Sequence, residues 1–335
     1  MDLDTFITTL YVVIDDWYQS EMAEQLRRAR GPAPKMTDSE VLTIAVAGQW
    51  RVGVPWQSER GVVRYMTEHG EKWFKSMLSR SRFNERVRDL WALVIQLQQV
   101  ISEYLNEDES PYEVVDCLPL PSCSNSQSLK KGHWLWWGTR GHGGTQGKWY
   151  WGDQLIMSVR HDHIITGWLV GPANADDRAM LQGLLSYRHG HQIFHAPEPW
   201  RPWRQVVKPT FLGPQLAVGQ PNSSDYYLAD KGFNGFKWQR HWYQQFETCV
   251  VTEPARNAAS GRLPRSWQKW FRGMRQAIET TFSVLTQVFD IKRLNAHSRW
   301  GQYTRLALAA TAFNFGIWIN RSMGRPDLSH ATLIC

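Results

Sequence analysis

Residues 267–291 read WQKWFRGMRQAIETTFSVLTQVFDI, which is the pattern of one long amphipathic helix. Its apolar side chains recur with the helical period and form the stripe Met274, Ile278, Leu285 and Phe289. Arg275 and Glu279 stand four residues apart, so they share one face of this helix. A surface salt bridge between them is the simpler interpretation. A more specific interpretation is that Glu279 is a metal ligand. The helix would hold it in place by packing its apolar face against the core.

Two long stretches of the chain contain basic residues and no acids. In 117–152, tryptophans alternate with Lys130, Lys131, Arg140 and Lys148. The second stretch, 254–278, contains Arg256, Arg262, Arg265, Lys269, Arg272 and Arg275. The whole chain has a net charge of +7 and a pI of about 9.3, which favours a polyanionic partner. Indole rings stack on bases, but a surface loop with tryptophans docked on the core explains the first stretch equally well.

The composition is that of a globular chain of one or two domains. Its 335 residues are 21% charged and 13% aromatic. The four cysteines show no CxxC spacing and no histidine pair at zinc-ligand spacing, so a reducing cytoplasm is expected. The start, MDLDTF, lacks the basic region of a signal peptide, and the apolar run 306–319 is too short to span a bilayer. We therefore expect a cytoplasmic protein without membrane contact.

The predicted elements divide the chain near residue 108. Residues 1–108 are predicted to be a helical N-terminal domain, with a capping box at 37–40 and a helix whose apolar residues run from Phe83 to Ile101. A helix-turn-helix and a plain helical domain both fit this part, because no turn signature stands out. Residues 109–322 are predicted to form an α/β domain with an insertion at about 189–224, followed by a tail at 323–335.

Three acids occupy prominent positions in the second part. Asp116 ends the strand YEVVD, Asp230 ends the strand DYYLAD, and Glu279 lies on the helix described above. A hairpin of the strands DQLIMSVR and ITGWLVGPA separates the first two acids, and a helix with Asn174 as N-cap follows it. Because 114 residues separate Asp116 from Asp230 and 49 separate Asp230 from Glu279, only the fold can bring the three together.

Three converging carboxylates repel one another unless a cation neutralises them. Ligation by oxygen alone favours Mg²⁺ or Mn²⁺ over zinc. Two such ions about 4 Å apart can activate a hydroxyl and stabilise a leaving oxygen in phosphodiester cleavage. For Asp116, the alternative is that it only caps the turn that follows its strand.

The acidic segments resemble those of the DDE transposases of bacterial insertion sequences, whose catalytic domain has the RNase H-like fold of retroviral integrases. The matching segments are VVDCLPLP at 114–121, GPANADDR at 171–178, LADKGF at 228–233 and RQAIETTFSVL at 275–285. Upstream, TDSEVLTIAVAGQW and SRSRFNERV also resemble such transposases. Many relatives have a third motif reading Tyr, two residues, Arg, three residues, Glu, six residues, Lys. Here Arg272 and Thr286 stand at the Tyr and Lys positions, so the chain departs from the family's motif at both.

The resemblance implies a fold, a partner and a reaction. The fold is a helical N-terminal domain followed by an RNase H-like mixed-sheet catalytic domain. The partner is double-stranded DNA, both the terminal inverted repeats and the target, and a homodimer would bind it. The protein would lie in the cytoplasm of a bacterium, associated with the nucleoid. The reaction is cleavage at the element ends, then joining of the freed 3′-hydroxyl to target DNA.

The resemblance also assigns roles to residues of this chain. Asp116, Asp230 and Glu279 would hold two Mg²⁺ or Mn²⁺ ions. Arg275 and Lys231 would bind phosphate near the cut. Further DNA-binding candidates are Arg272, Lys269, Arg265, Arg262, Lys130, Lys131 and Arg140. The open alternatives are a catalytically inactive DNA-binding protein derived from a transposase, a stand-alone RNase H-like nuclease, and a basic scaffold without a nucleic-acid role.

Overall fold

The structure, a computed structural model, has a mixed α/β architecture that divides into two compact units. It describes residues 1–22, 34–105, 110–124, 139–143, 147–189, 226–253, 264–294, 296 and 298–335. Unit 1 consists of Met1–Gln98, Gln287–Asp290 and Trp300–Cys335, and unit 2 of Gln99–Thr286 and Ile291–Arg299. The predicted insertion at 189–224 lies, apart from residue 189, outside the described residues.

Within the described residues, the regular secondary structure of unit 1 is helical, with loops between the helices. Its helices are α1 (Leu3–Trp17), α2 (Asp38–Ala47), α3 (Glu59–His69), α4 (Arg80–Asp89), most of α5 (Trp91–Tyr104) and nearly all of α9 (Arg299–Ser322). The predicted capping box starts α2: Thr37 N–H donates to Glu40 Oε2 at 2.7 Å, and Glu40 N–H donates to Thr37 Oγ1 at 3.2 Å. This reciprocal pair satisfies two backbone donors that the helix itself leaves free.

Two features of unit 1 differ from the sequence-based expectations. The helix predicted through 83–101 is wrong as a single element, because Leu90 adopts φ −89° and ψ 7° and ends α4 before α5 begins. The second difference concerns α9 and residues 323–335, which cluster with unit 1 and not with the sheet. Their apolar side chains belong to its core, where the His330 ring stacks on Phe313 at 4.7 Å. Among the described helices, none is both long and apolar enough to cross a bilayer.

Unit 2 is built on a six-stranded mixed sheet. The strands are β1 (Glu113–Ser124), β2 (Thr139–Gly143), β3 (Lys148–Arg160), β4 (Ile165–Pro172), β5 (Tyr226–Ala229) and β6 (Cys249–Thr252). They are ordered β2-β3-β1-β5-β6, with β4 also paired to β3. Strand β3 is antiparallel to β1, β2 and β4, which confirms the predicted hairpin, while β1, β5 and β6 run parallel.

The helices of unit 2 are α6 (Asp177–Arg188), α7 (Phe236–Phe246) and α8 (Arg265–Gln287). Helix α6 is capped by Asp176, whose side chain accepts from Arg178 N–H, and the predicted cap, Asn174, is wrong by two residues. Helix α8 buries Ile278 and Leu285 of the predicted stripe, but it ends before Phe289. Met274 is only half-buried.

Successive residues of β1 point to opposite faces of the sheet. Val115 belongs to an apolar core that α6 and α7 share with Ala229 of β5. The next residues in the chain, Asp116 and Asp230, turn to the other face, where Arg275 of α8 meets them. The sheet therefore separates an apolar side from a charged side along the same two strands.

A buried ion pair ties the apolar side to strands β1 and β5. Arg188, at the end of α6, donates to both carboxylate oxygens of Glu113, at 2.5 and 2.9 Å, and to the Tyr227 hydroxyl at 2.6 Å. Glu113 and Tyr227 are direct partners in the β1–β5 register. Glu113 has no exposed area and Arg188 is 2% exposed.

Replacing Glu113 by Gln should strongly destabilise unit 2. The change leaves the Arg188 charge buried without its counter-charge, and a buried pair broken on one side costs about 3–5 kcal/mol. Urea unfolding of wild type and Glu113→Gln measures this difference. The exposed residue Glu103 provides the matched control, because Glu103→Gln should change stability by less than about 0.5 kcal/mol. Equal effects of the two substitutions would contradict a structural role for the pair.

Candidate active site

Three acids form a row across the parallel strands of unit 2. Val115, Ala229 and Thr252 lie side by side in the registers of β1, β5 and β6. Each is followed immediately by an acid: Asp116, Asp230 and Glu253. Neighbouring strands lie about 4.8 Å apart, so the row places three carboxyl-bearing residues side by side, directly after the parallel pairing of these strands. The prediction that Asp116 ends its strand is wrong, because β1 continues to Ser124 through its antiparallel pairing with β3.

Arg275 of α8 lies between the first two acids. Its Nη2 atom is 3.6 Å from Asp116 Oδ2, and its Nη1 atom is 3.5 Å from Asp230 Oδ1. The Arg275 side chain is 16% exposed. No salt bridge joins Arg275 to Glu279 within the part of the chain that the structure describes, so the surface pair considered from the sequence is not formed there. The guanidinium instead supplies a positive charge shared by two aspartates from different strands.

Asp116 is the most perturbed carboxyl of the row. Its pKa is raised from 3.8 to about 6, chiefly by burial and to a smaller extent by the charges of Asp230 and Asp177. The Cys117 N–H, which donates to Asp116 Oδ1 at 2.8 Å, and the Arg275 charge oppose this shift. The Cys117 side chain belongs to the core on the opposite face. Burial also raises the pKa of its thiol, so a thiolate nucleophile at this position is disfavoured.

Asp230 follows β5 at the start of a short 3₁₀ turn. Its Oδ1 atom accepts from Lys231 N–H, which fixes the carboxyl at the strand end. Gly232, two residues later, packs so closely on α6 that a Cβ atom there would lie 2.6 Å from Asp177 Oδ2. Asp177 is itself held by Gln154, whose Nε2 donates to its Oδ1 at 2.7 Å. A glycine at this position therefore lets the Asp230 turn approach the start of α6.

Glu253 forms a second charged group beside the first. Its carboxylate is 3.1 Å from Lys231 Nζ and 3.2 Å from Arg272 Nε. Burial alone would raise the pKa of Glu253, but the two cations outweigh burial and lower it. Sequence reasoning missed this acid. The available signal was its position directly after the strand in ETCVVTEP, the position that Asp230 has after β5.

Glu279 is exposed on α8, four residues beyond Arg275. Four residues of helix advance about 6 Å and return to the same face, so Glu279 lies on the side that carries the guanidinium. Within the described ranges, no three His, Cys, Asp or Glu side chains stand close enough to hold a metal ion. The structure therefore brings Asp116 and Asp230 to one cation and leaves Glu279 outside that pair.

The remaining DNA-binding candidates fall into three groups. Arg265 and Lys269 are exposed in the first turns of α8, beside Trp267 and Trp270, which are 43% and 44% exposed. Arg140 of β2 lies over the Trp149 ring, with its Cζ atom 4.2 Å from the ring centroid. The third group lies outside the described residues and consists of Lys130, Lys131 and Arg262.

Comparison of the chain with protein-family models, with curated proteins and with solved structures found no match. The geometry of the chain's own residues therefore carries the functional conclusion.

Replacing Asp116 by Asn should stabilise the metal-free protein more at pH 8 than at pH 4. A carboxyl whose pKa is raised to about 6 on folding binds its proton more tightly in the folded state. Stability therefore falls as pH rises from about 4 to about 6, and the penalty is fully present above that window. The Asn variant does not have this penalty, because its side chain does not ionise.

The difference between a pKa of 3.8 and one of about 6 sets an upper limit of about 3 kcal/mol for this effect. The side chain is 25% exposed, so solvent screening reduces the expected gain to about 1–2 kcal/mol. The measurement is urea unfolding of wild type and Asp116→Asn in EDTA at both pH values. A difference between the proteins that is the same at pH 4 and pH 8 would show that Asp116 is not buried as a charge.

Proposed function

We propose that this chain is a DDE-type transposase that cleaves DNA at the ends of a mobile element and joins the 3′-hydroxyl to target DNA. The observation that carries the proposal is the pair Asp116 and Asp230, aligned on adjacent parallel strands and facing one cation from α8. Asp230 directly follows β5, and the end of a parallel strand is where open sheets place their chemistry, while Asp116 lies beside it within β1.

The order of the strands supports an RNase H-like arrangement of unit 2. An antiparallel set, β1, β3 and β4, comes first in the chain, and the parallel strands β5 and β6 follow on the other side of β1. Helices α6, α7 and α8 alternate with these later strands. Unit 1 is helical and holds most of the first hundred residues, which supports the proposal of a helical N-terminal domain before the catalytic one.

The donor set at the row of acids fits a hard divalent cation. Asp116 and Asp230 would hold Mg²⁺ or Mn²⁺, with Glu279 as the third carboxylate from α8, because such ions prefer oxygen ligands. Two ions bound there would supply the charge that activates a hydroxyl and stabilises a leaving oxygen. The guanidinium between the two aspartates shows that this position already accommodates positive charge.

The chain's own cations suit the phosphate side of the reaction. Lys231, Arg272 and Arg275 lie next to the acids, and each has a side chain long enough to exchange its carboxylate partner for a phosphate oxygen. The first turns of α8 add Arg265 and Lys269 beside two exposed tryptophans. A basic and aromatic surface of this kind follows a phosphate backbone and offers rings for stacking.

Removing a carboxylate of the proposed metal site should abolish cleavage without abolishing DNA binding. We expect Asp116→Asn and Glu279→Gln each to lower Mg²⁺-dependent nicking by about 10³-fold or more, because a displaced metal loses several kcal/mol of transition-state stabilisation. The substrate is a supercoiled plasmid that carries the DNA flanking the gene. Glu103→Gln is the control and should nick like wild type.

The same assay separates the alternatives. Binding in EDTA without nicking in any metal would identify a catalytically inactive DNA-binding protein. Nicking without joining of the 3′ end to a second plasmid would identify a stand-alone nuclease. If Glu279→Gln nicks DNA at the wild-type rate, Glu279 is not part of the active site.

Neutralising the start of α8 should weaken DNA binding through the phosphates. For Arg265→Ala/Lys269→Ala we expect the slope of log K against log salt to flatten by about 0.9 for each phosphate that the protein no longer neutralises. The control is Lys237→Ala/Arg240→Ala, which removes the same charge from exposed positions of α7 on the other face of the sheet. Fluorescence anisotropy of a labelled duplex at several salt concentrations gives both slopes. Equal slopes for the two double variants would place the start of α8 away from DNA.

A further inference from the structure

Arg275 is held at the two aspartates by charge and not by hydrogen bonds. Its two ion-pair distances, 3.6 and 3.5 Å, exceed hydrogen-bond length, and its Nε atom is buried without a hydrogen-bond partner among the described residues. By contrast, the buried Arg188 makes bonds of 2.5–2.9 Å to Glu113 and Tyr227. Arg275 is therefore attracted to the acids but loosely fastened there.

We propose that Arg275 is an internal competitor of the divalent cation, and that DNA removes this competition by offering Arg275 a phosphate. The proposal rests on the proposed function, because it assumes that Asp116 and Asp230 hold the metal. A guanidinium and a metal ion cannot both lie between the same two carboxylates, because two cations in such close contact repel each other strongly. Metal binding thus requires Arg275 to leave, and a phosphate is its natural next partner.

The surrounding charges support this exchange. Within the described residues, the three acids of the row face three cations. Arg275 forms ion pairs with Asp116 and Asp230. Lys231 and Arg272 form ion pairs with Glu253. The charges of these six groups therefore balance before any metal or DNA arrives. A divalent ion alone leaves Arg275 without a partner, and a phosphate alone leaves the aspartates without a counter-charge. The two ligands together satisfy both groups.

This arrangement predicts thermodynamic coupling. If DNA weakens the hold of Arg275 on the aspartates, DNA raises the affinity for the metal, and the metal raises the affinity for DNA by the same factor. The consequence is that the aspartates take up metal poorly until a DNA strand is in place. Arg275 acts here as a positioning residue, because its effect on the metal runs through Asp116 and Asp230.

The first measurement is Mn²⁺ affinity without DNA, by isothermal titration calorimetry on the full chain. We expect Arg275→Gln to bind Mn²⁺ at least about tenfold more tightly than wild type, since it removes a competing charge. Arg275→Lys should fall between the two, because a single ammonium does not span both carboxylates as a guanidinium does. Arg240→Gln, which removes an exposed charge from α7, should bind like wild type.

The second measurement is affinity for a duplex of random sequence, by fluorescence anisotropy with Mn²⁺ and with EDTA. We expect Mn²⁺ to strengthen DNA binding by wild type, and to do so less for Arg275→Gln. If Arg275 only holds the site together, Arg275→Gln should instead bind Mn²⁺ more weakly than wild type, because a loosened site loses affinity for the ion.

The outcomes separate this inference from the proposed function. Mn²⁺ binding that needs Asp116 but is unchanged or weaker in both Arg275 variants would overturn the competition. Tighter Mn²⁺ binding with unchanged coupling to DNA would overturn the role of phosphate. If wild type and the Arg275 variants bind no more Mn²⁺ than Asp116→Asn, the metal site itself is wrong, and both proposals fail. Arg275→Lys keeps the test decisive if Arg275→Gln does not fold.

Discussion

The buried contact of Arg188 with Glu113 and Tyr227 sets the register on which the rest of unit 2 depends. Glu113 and Tyr227 stand opposite each other on β1 and β5, and one guanidinium from α6 bonds to both. Three residues further along each strand, the same register brings Asp116 beside Asp230. A slip of one residue would turn Asp116 into the apolar core and Val115 out of it. A buried pair of this kind adds little net stability, but it makes the wrong register costly, because a slip leaves a charge unpaired.

The aligned acids explain how a basic chain keeps several carboxylates together before a ligand binds. Parallel pairing continues from β5 to β6, so Glu253 joins the row, and helix α8 crosses it with Arg272 and Arg275 about one turn apart. The spacing of Arg272 and Arg275 along the helix is therefore close to the spacing of the strands that hold the acids. The acids are stabilised by side chains that can change partners, which is what a site for a metal and a phosphodiester requires.

Local patterns in the sequence predicted those parts of the structure that local interactions determine. The capping box at Thr37, the hairpin of β3 and β4, and the strands that lead into Asp116 and Asp230 all have short-range signals. The break at Leu90 was missed, because the apolar period continues through it and only the backbone angles change. Interactions between distant parts of the chain had no such signal. Glu113 and Arg188 are 75 residues apart, and the approach of Arg275 to Asp116 and Asp230 depends on where the fold places α8 over the sheet.

The most direct test of the account is the position of Mn²⁺ in crystals of the protein grown or soaked with the ion. An anomalous difference map locates manganese without reference to any assumed chemistry. The account predicts a peak within about 2.5 Å of carboxylate oxygens of both Asp116 and Asp230, with Arg275 moved away from them. Peaks at other sites, with Arg275 still between two metal-free aspartates at millimolar Mn²⁺, would contradict it.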